Sequence, residues 1–167
     1  GMVRTSIAPP PPRVKPLRPA HSGAIDVHMP SKQYTHQETF DIVARALAAQ
    51  GRKSHGVQGG LPRCLYRAED GCKCAAGHLI PNGRYTEAME GRAVVVGADD
   101  EATIAGEAVV AEGHDLLLTA ELQIAHDDAP SGDTWLGDWA DHMRRLAGKR
   151  GLSTTALDEA LAARAAS

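Results

Sequence analysis

Apolar residues fall at helical spacing in four stretches of the chain. The first opens at T-H-Q-E (Thr35 to Glu38), a capping box in which a Thr cap is answered by Glu three residues later. Phe40, Val43, Ala44, Leu47 and Ala48 then recur on one face, and Gly51 supplies the stop. A second helix is predicted over His114 to Asp127, with Leu118, Leu122 and Ala125 inward, ended by A-P-S-G-D (Ala129 to Asp133). Trp135, Trp139, Met143 and Leu146 form one stripe of a third, over about 134 to 147. Ser153 caps a last helix that turns Leu157 and Leu161 inward.

Between the first two helices the period changes. Residues 51 to 62, G-R-K-S-H-G-V-Q-G-G-L-P, hold four glycines and a proline and read as a loop of about a dozen residues, long enough to be suspected of function. R-C-L-Y-R-A-E-D-G-C-K-C then reads as a hairpin over Arg63 to Cys74. With Glu69-Asp70-Gly71 as its loop, Gly71 takes the left-handed position, Ala68 faces Cys72 and Tyr66 faces Cys74. That register places the sulfurs of Cys64, Cys72 and Cys74 on one face; a two-residue turn would send Cys64 to the other. A-A-G-H-L-I-P and Arg84 to Gly91 suit short helical turns, and Ala93 to Val96 a short strand or extended segment. The run from Asp99 to Gly113 has helix-like spacing interrupted by Gly106. The fold class predicted is α+β: one mainly helical domain over 35–167, one small β-hairpin, and a proline-rich N-terminal arm over 1–34.

The arm holds seven of the ten prolines, and Pro9 to Pro12 can join neither a helix nor a central strand. It also carries five basic residues (Arg4, Arg13, Lys15, Arg18, Lys32) against Asp26, which is +4, and leaves the rest of the 167-residue chain at −7. Such a segment has little means of ordering itself and is expected to lie along a second chain, making the protein a homo-oligomer. The overall charge of −3 gives no push toward nucleic acid or an anionic membrane, and no apolar run approaches the length of a bilayer span. The first residues show no stretch of signal-peptide length, and three cysteines cannot all pair within one chain; reduced thiols in a cytoplasmic protein are expected.

The cysteines are the candidate chemistry. Cys64, Cys72, Cys74 and His78 are ligand types for tetrahedral zinc, but their C-x7-C-x-C-x3-H spacing lacks the usual two-residue knuckle. The alternative to ligation is that the cysteines are small buried apolar residues. Cys74, just before a short helix, is also a candidate nucleophile, with His126 as base and Asp127 as its orienter. Successive helical residues diverge by about 100°, so Asp127 is not expected to hold His126. Tyr66-Arg67 beside Glu69 and Asp70 reads as a solvated hairpin tip, Asp99-Asp100-Glu101 as a solvated acidic loop, and Arg144, Arg145, Lys149 and Arg150 as a cluster that complements a helix dipole. No phosphate loop, dinucleotide fingerprint or serine elbow is present in the sequence.

The block C-L-Y-R, G-C-K-C-A-A-G-H-L-I-P-N and A-M-E-G resembles a family of short uncharacterised bacterial and phage proteins. Their pattern is C-x-Y-R, then G-x-x-C-A-x-G-x-L-I-P, then M-E-G. L-Q-I-A-H-D-D (Leu122 to Asp128) followed by Trp135 is similar to them too, so the resemblance covers about 36 to 150. It implies a compact intracellular domain and supplies no activity. In that pattern the position of Cys72 is often aliphatic and that of His78 often Cys, which implies that a four-ligand site using both is not a family feature. The expectation is a protein of unknown function, most simply a non-enzymatic interaction or regulatory protein of bacterial or phage origin. The alternatives are a structural zinc protein and a cysteine-dependent enzyme.

Overall fold

The computed structural model describes residues 32–96 and 101–167; the proline-rich segment, and Asp99 and Asp100, lie outside them. The architecture is α+β and mainly helical. Helix α1 (His36–Gln50) begins on the expected box: Thr35 Oγ1 accepts from the Glu38 N–H at 3.1 Å, and Glu38 Oε2 accepts from the Thr35 N–H at 2.8 Å. Gly51 ends it in the left-handed conformation, φ 72°. The predicted apolar face is buried and packs on α2 (Ala75–Leu79), α4 (Leu116–Asp128) and α6 (Thr155–Ala165). Helix α3 (Ile104–Ala111) leans on α4, and α5 (Trp135–Arg150) runs three residues past its expected end. Trp135 and Trp139 are fully buried and stacked with centroids 5.4 Å apart. The Ser153 hydroxyl accepts from the Thr155 N–H at 3.2 Å at the start of α6, although the capping position itself is Thr154.

Two parts of the reading need correction. The segment expected to be a loop contains strand β1 (His55–Gln58), which pairs antiparallel with β2 (Leu61–Cys64) in the register His55↔Cys64 and Gln58↔Leu61. Its two-residue turn is Gly59-Gly60, both at positive φ (58° and 77°), the geometry that matches the strands' own twist. The Gly-Gly pair carried that signal; the absence of alternation around it concealed the strands. A second ribbon joins β3 (Val95–Val96) to β4 (Glu101–Ala102).

The Glu69–Gly71 loop has the predicted turn: Gly71 is at φ 85°, the Ala68 N–H reaches the Cys72 carbonyl at 2.9 Å, and Arg67 pairs with Lys73. The ladder ends there, however. Cys64 belongs to the upstream ribbon, and Cys74 leaves to cap α2, so the three sulfurs do not share a face.

Candidate functional site

The resemblance block is a packed junction, and Tyr66-Arg67 is its middle rather than a solvated tip. Glu90, from the M-E-G turn, accepts the Tyr66 N–H through Oε2 and the Arg67 N–H through Oε1, each at 3.0 Å; the Tyr85 hydroxyl donates to Oε1 at 2.8 Å. Tyr66 is 5% exposed and its hydroxyl donates to the Arg92 carbonyl at 2.7 Å. Arg67 donates to the Ile80 carbonyl at 2.7 Å and lies 4.6 Å over the Tyr85 ring. Gly77 is required where α2 crosses this segment: a Cβ there would stand 2.2 Å from the Tyr66 carbonyl oxygen.

Beside this junction the end of α4 meets the β1–β2 ribbon. Lys53 Nζ donates to the carbonyls of Asp127 at 2.5 Å and Ala129 at 2.8 Å, satisfying the last turn of the helix. The Ser54 N–H donates to His126 Nε2 at 3.1 Å. A main-chain donor can only meet an unprotonated nitrogen, so the ring proton sits on Nδ1 and is donated to Asp127 Oδ1 at 2.8 Å. Asp127 therefore does hold His126, against the expectation from helix geometry. The same oxygen accepts from Gln123 Nε2, one turn earlier, at 2.7 Å, which turns the carboxylate back along the helix. Gln123 Oε1 in turn accepts the Ala76 N–H at 3.1 Å, and Trp135 Nε1 donates to the His126 carbonyl at 3.2 Å.

Ligand atoms of Cys64, His126 and Asp127 lie within 4.8 Å of one another. This is the group of three or more potential ligands present among the described residues, and it differs from the expected set of Cys64, Cys72, Cys74 and His78. Cys72 faces the other way, its sulfur 2.9 Å from Arg52 Nε. His78, on α2, points to the end of α1, its Nε2 3.1 Å from Gln50 Oε1. Cys74 is 1% exposed and accepts the Gly77 N–H at 3.4 Å as the cap of α2. His126 is near Cys64, not paired with Cys74 as a nucleophile would require.

Burial decides the ionisation of these groups. It pushes the Cys64 thiol up to about 12, with the Asp127 charge adding and Lys53 opposing. Burial also raises Cys74 well above the ordinary thiol range, more than the Gly77 N–H lowers it. Cys72 is raised by burial too, with Arg52 opposing. The three are free thiols, and the proton stays on sulfur at neutral pH. His78 is held down to about 4 by burial, reinforced by the charges of Lys73 and Arg67.

Cys64, Cys74 and Asp127 line a cleft of about 460 Å³ between β2, α4 and the segment Arg92 to Val95, with Arg63 and Ile124 at its sides. In the basic cluster on α5, Arg150 and Lys149 pair with Glu121 and Arg144 with Asp158, while Arg145 lies exposed against His142. Sequence reasoning missed Lys53, Ser54, Gln123 and Glu90. Only the Gln123–Asp127 pair carried a local signal, its spacing of four on a helix.

No protein-family model, no curated protein and no solved structure matches the chain. No helix among the described residues is long and apolar enough to cross a membrane.

Proposed function

We propose that this is a non-enzymatic interaction or regulatory protein of the cytoplasm that associates with itself through its N-terminal arm. The observation that carries the reading is the use to which the chemically capable groups are put. Lys53, Gln123 and Glu90 hold main-chain groups, as does the Ser54 hydroxyl, which donates to the Leu65 carbonyl at 2.8 Å; both nitrogens of His126 are engaged, and the thiol of Cys64 is protonated. A cysteine nucleophile works as a thiolate activated by an unengaged base, whereas here burial keeps the proton on Cys64 and both nitrogens of His126 are already bonded. Binding is what an arm of +4 on a body of −7 suits. Light scattering on the full chain and on a chain beginning at Ser31 tests the reading. A dimer or larger species is expected for the first and a monomer for the second; two monomers at tens of micromolar refute it.

A second reading, a metal-binding protein, rests on the proximity of Cys64, His126 and Asp127. It requires the His126 proton to leave Nδ1 for Nε2, where it would oppose the Ser54 N–H, or Nε2 to give up that hydrogen bond. Stoichiometric zinc in protein purified without added metal would establish it, with Cys64 rather than the four-residue set as its centre.

A further inference from the structure

The cleft between β2, α4 and the segment Arg92 to Val95 joins two unlike surfaces. One is basic. Arg63 and Arg92 both line it, and both are exposed. The arginine–carboxylate pairs among the described residues use Arg52, Arg84, Arg144 and Arg150, so neither cleft arginine has a carboxylate partner there. The other surface is apolar: Ile124, 56% exposed on α4, with Ala120 one turn before it and Val94 from the neighbouring segment.

The remaining charge in the lining, Asp127, is already in use, since its Oδ1 accepts from both Gln123 and His126. The lining therefore carries two positive charges against one negative, on a body over 35–167 that sums to −7. Unpaired positive charge on an otherwise acidic body attracts an anion. A guanidinium offers a flat fork of donors that matches a carboxylate, sulfonate or phosphate. Both arginines are set on fixed backbone. Arg63 pairs with Gly56 across the ribbon, and the Arg92 carbonyl accepts the Tyr66 hydroxyl at 2.7 Å. A site held in place before its ligand arrives loses less on binding.

We propose that this cleft binds a small organic anion, its acidic group held by Arg63 and Arg92 and its apolar body laid against Ile124, Ala120 and Val94. The inference goes beyond the self-association reading and does not depend on it. An inorganic anion would use the arginines and leave Ile124 wet. A neutral hydrocarbon would cover Ile124 and leave the arginines without a partner. An amphipathic anion uses both surfaces. The size agrees: the cleft is about 460 Å³, inside the range of roughly 300–1,000 Å³ common to small-molecule sites.

The test uses the full chain and two fluorescent probes, anilinonaphthalene sulfonate and phenylnaphthylamine, which share a ring system and differ by the sulfonate. It is run at about 0.15 M salt, so that loose ion pairing is screened. The sulfonate is expected to bind saturably, one molecule per chain. Arg63→Gln combined with Arg92→Gln should weaken the sulfonate at least about tenfold and the neutral amine less than about twofold. Ile124→Ser should weaken both probes. All three positions are exposed, and circular dichroism checks that the variants keep the fold. No saturable binding of the sulfonate overturns the inference, as does binding indifferent to the two arginines. An equal loss of both probes in the arginine variant would mean that the arginines shape the cleft without holding the charge, and overturns it too. So does sulfonate binding unchanged by Ile124→Ser, which would leave the apolar wall without a role.

Discussion

The Glu90 carboxylate accepts the main-chain N–H of Tyr66 at 3.0 Å, and its other oxygen takes the next N–H, that of Arg67. One side chain thus ties the M-E-G turn to the segment that follows the Cys64 strand and leads towards α2. Removing it leaves two partly buried donors without a partner. Glu90→Ala is expected to cost about 2–4 kcal/mol in urea unfolding. A loss below about 1 kcal/mol would mean that the segment is held by its side-chain packing alone.

Gly77 and Gly83 make a matched pair of tests. Alanine at 77 drives a Cβ to 2.2 Å from the Tyr66 carbonyl oxygen, whereas alanine at 83 meets nothing within 4 Å. Gly77→Ala should lower stability by more than about 2 kcal/mol, and Gly83→Ala should stay within about 1 kcal/mol of the parent. Equal melting temperatures for the two variants would contradict the close crossing of α2.

Trp135 has no exposed surface, stacks on Trp139 and donates to the His126 carbonyl. Trp135→Ala should cost about 3–5 kcal/mol. A near-neutral result in thermal unfolding would place the ring at a surface and make it a binding residue.

Acid should destabilise the fold through His78. Its ordinary value is 6.5, and burial lowers it to about 4 in the folded chain. The unfolded chain therefore takes up the proton first. The stabilising contribution is full above about pH 6.5 and is lost as the pH falls towards 4, to an extent on the order of 2 kcal/mol. His78→Gln should flatten this part of the stability profile; an unchanged slope would assign it to other groups.

The thiols should be inert in the folded protein. With Cys64 pushed up to about 12 and Cys74 buried beneath α2, alkylation by iodoacetamide at pH 8 is expected to be at least about a hundredfold slower than in the urea-unfolded chain. A single cysteine that reacts at the unfolded rate would identify an activated nucleophile and revive the enzymatic alternative.

The sequence by itself determined the four longer helices and one turn, but not α3, whose spacing Gly106 interrupts. The Thr35–Glu38 box, the Phe40 to Ala48 face, the Trp135 to Leu146 stripe and the left-handed Gly71 are settled within a few residues of themselves, because capping, periodicity and a positive φ are local requirements. The turn at Gly71 even set the register of Arg67 against Lys73. Tertiary structure decided what the cysteines face. Cys64 turns to the end of α4 because β2 pairs upstream with β1, across a glycine turn flanked by strands too irregular to announce themselves. His126 takes Asp127 as its partner because Gln123 and the Ser54 N–H constrain both, and Ser54 stands 72 residues away in the chain. A hydrogen bond over that separation exists only once α4 has docked, since neither the direction of a helix end nor the identity of the segment beneath it is encoded in residues near His126.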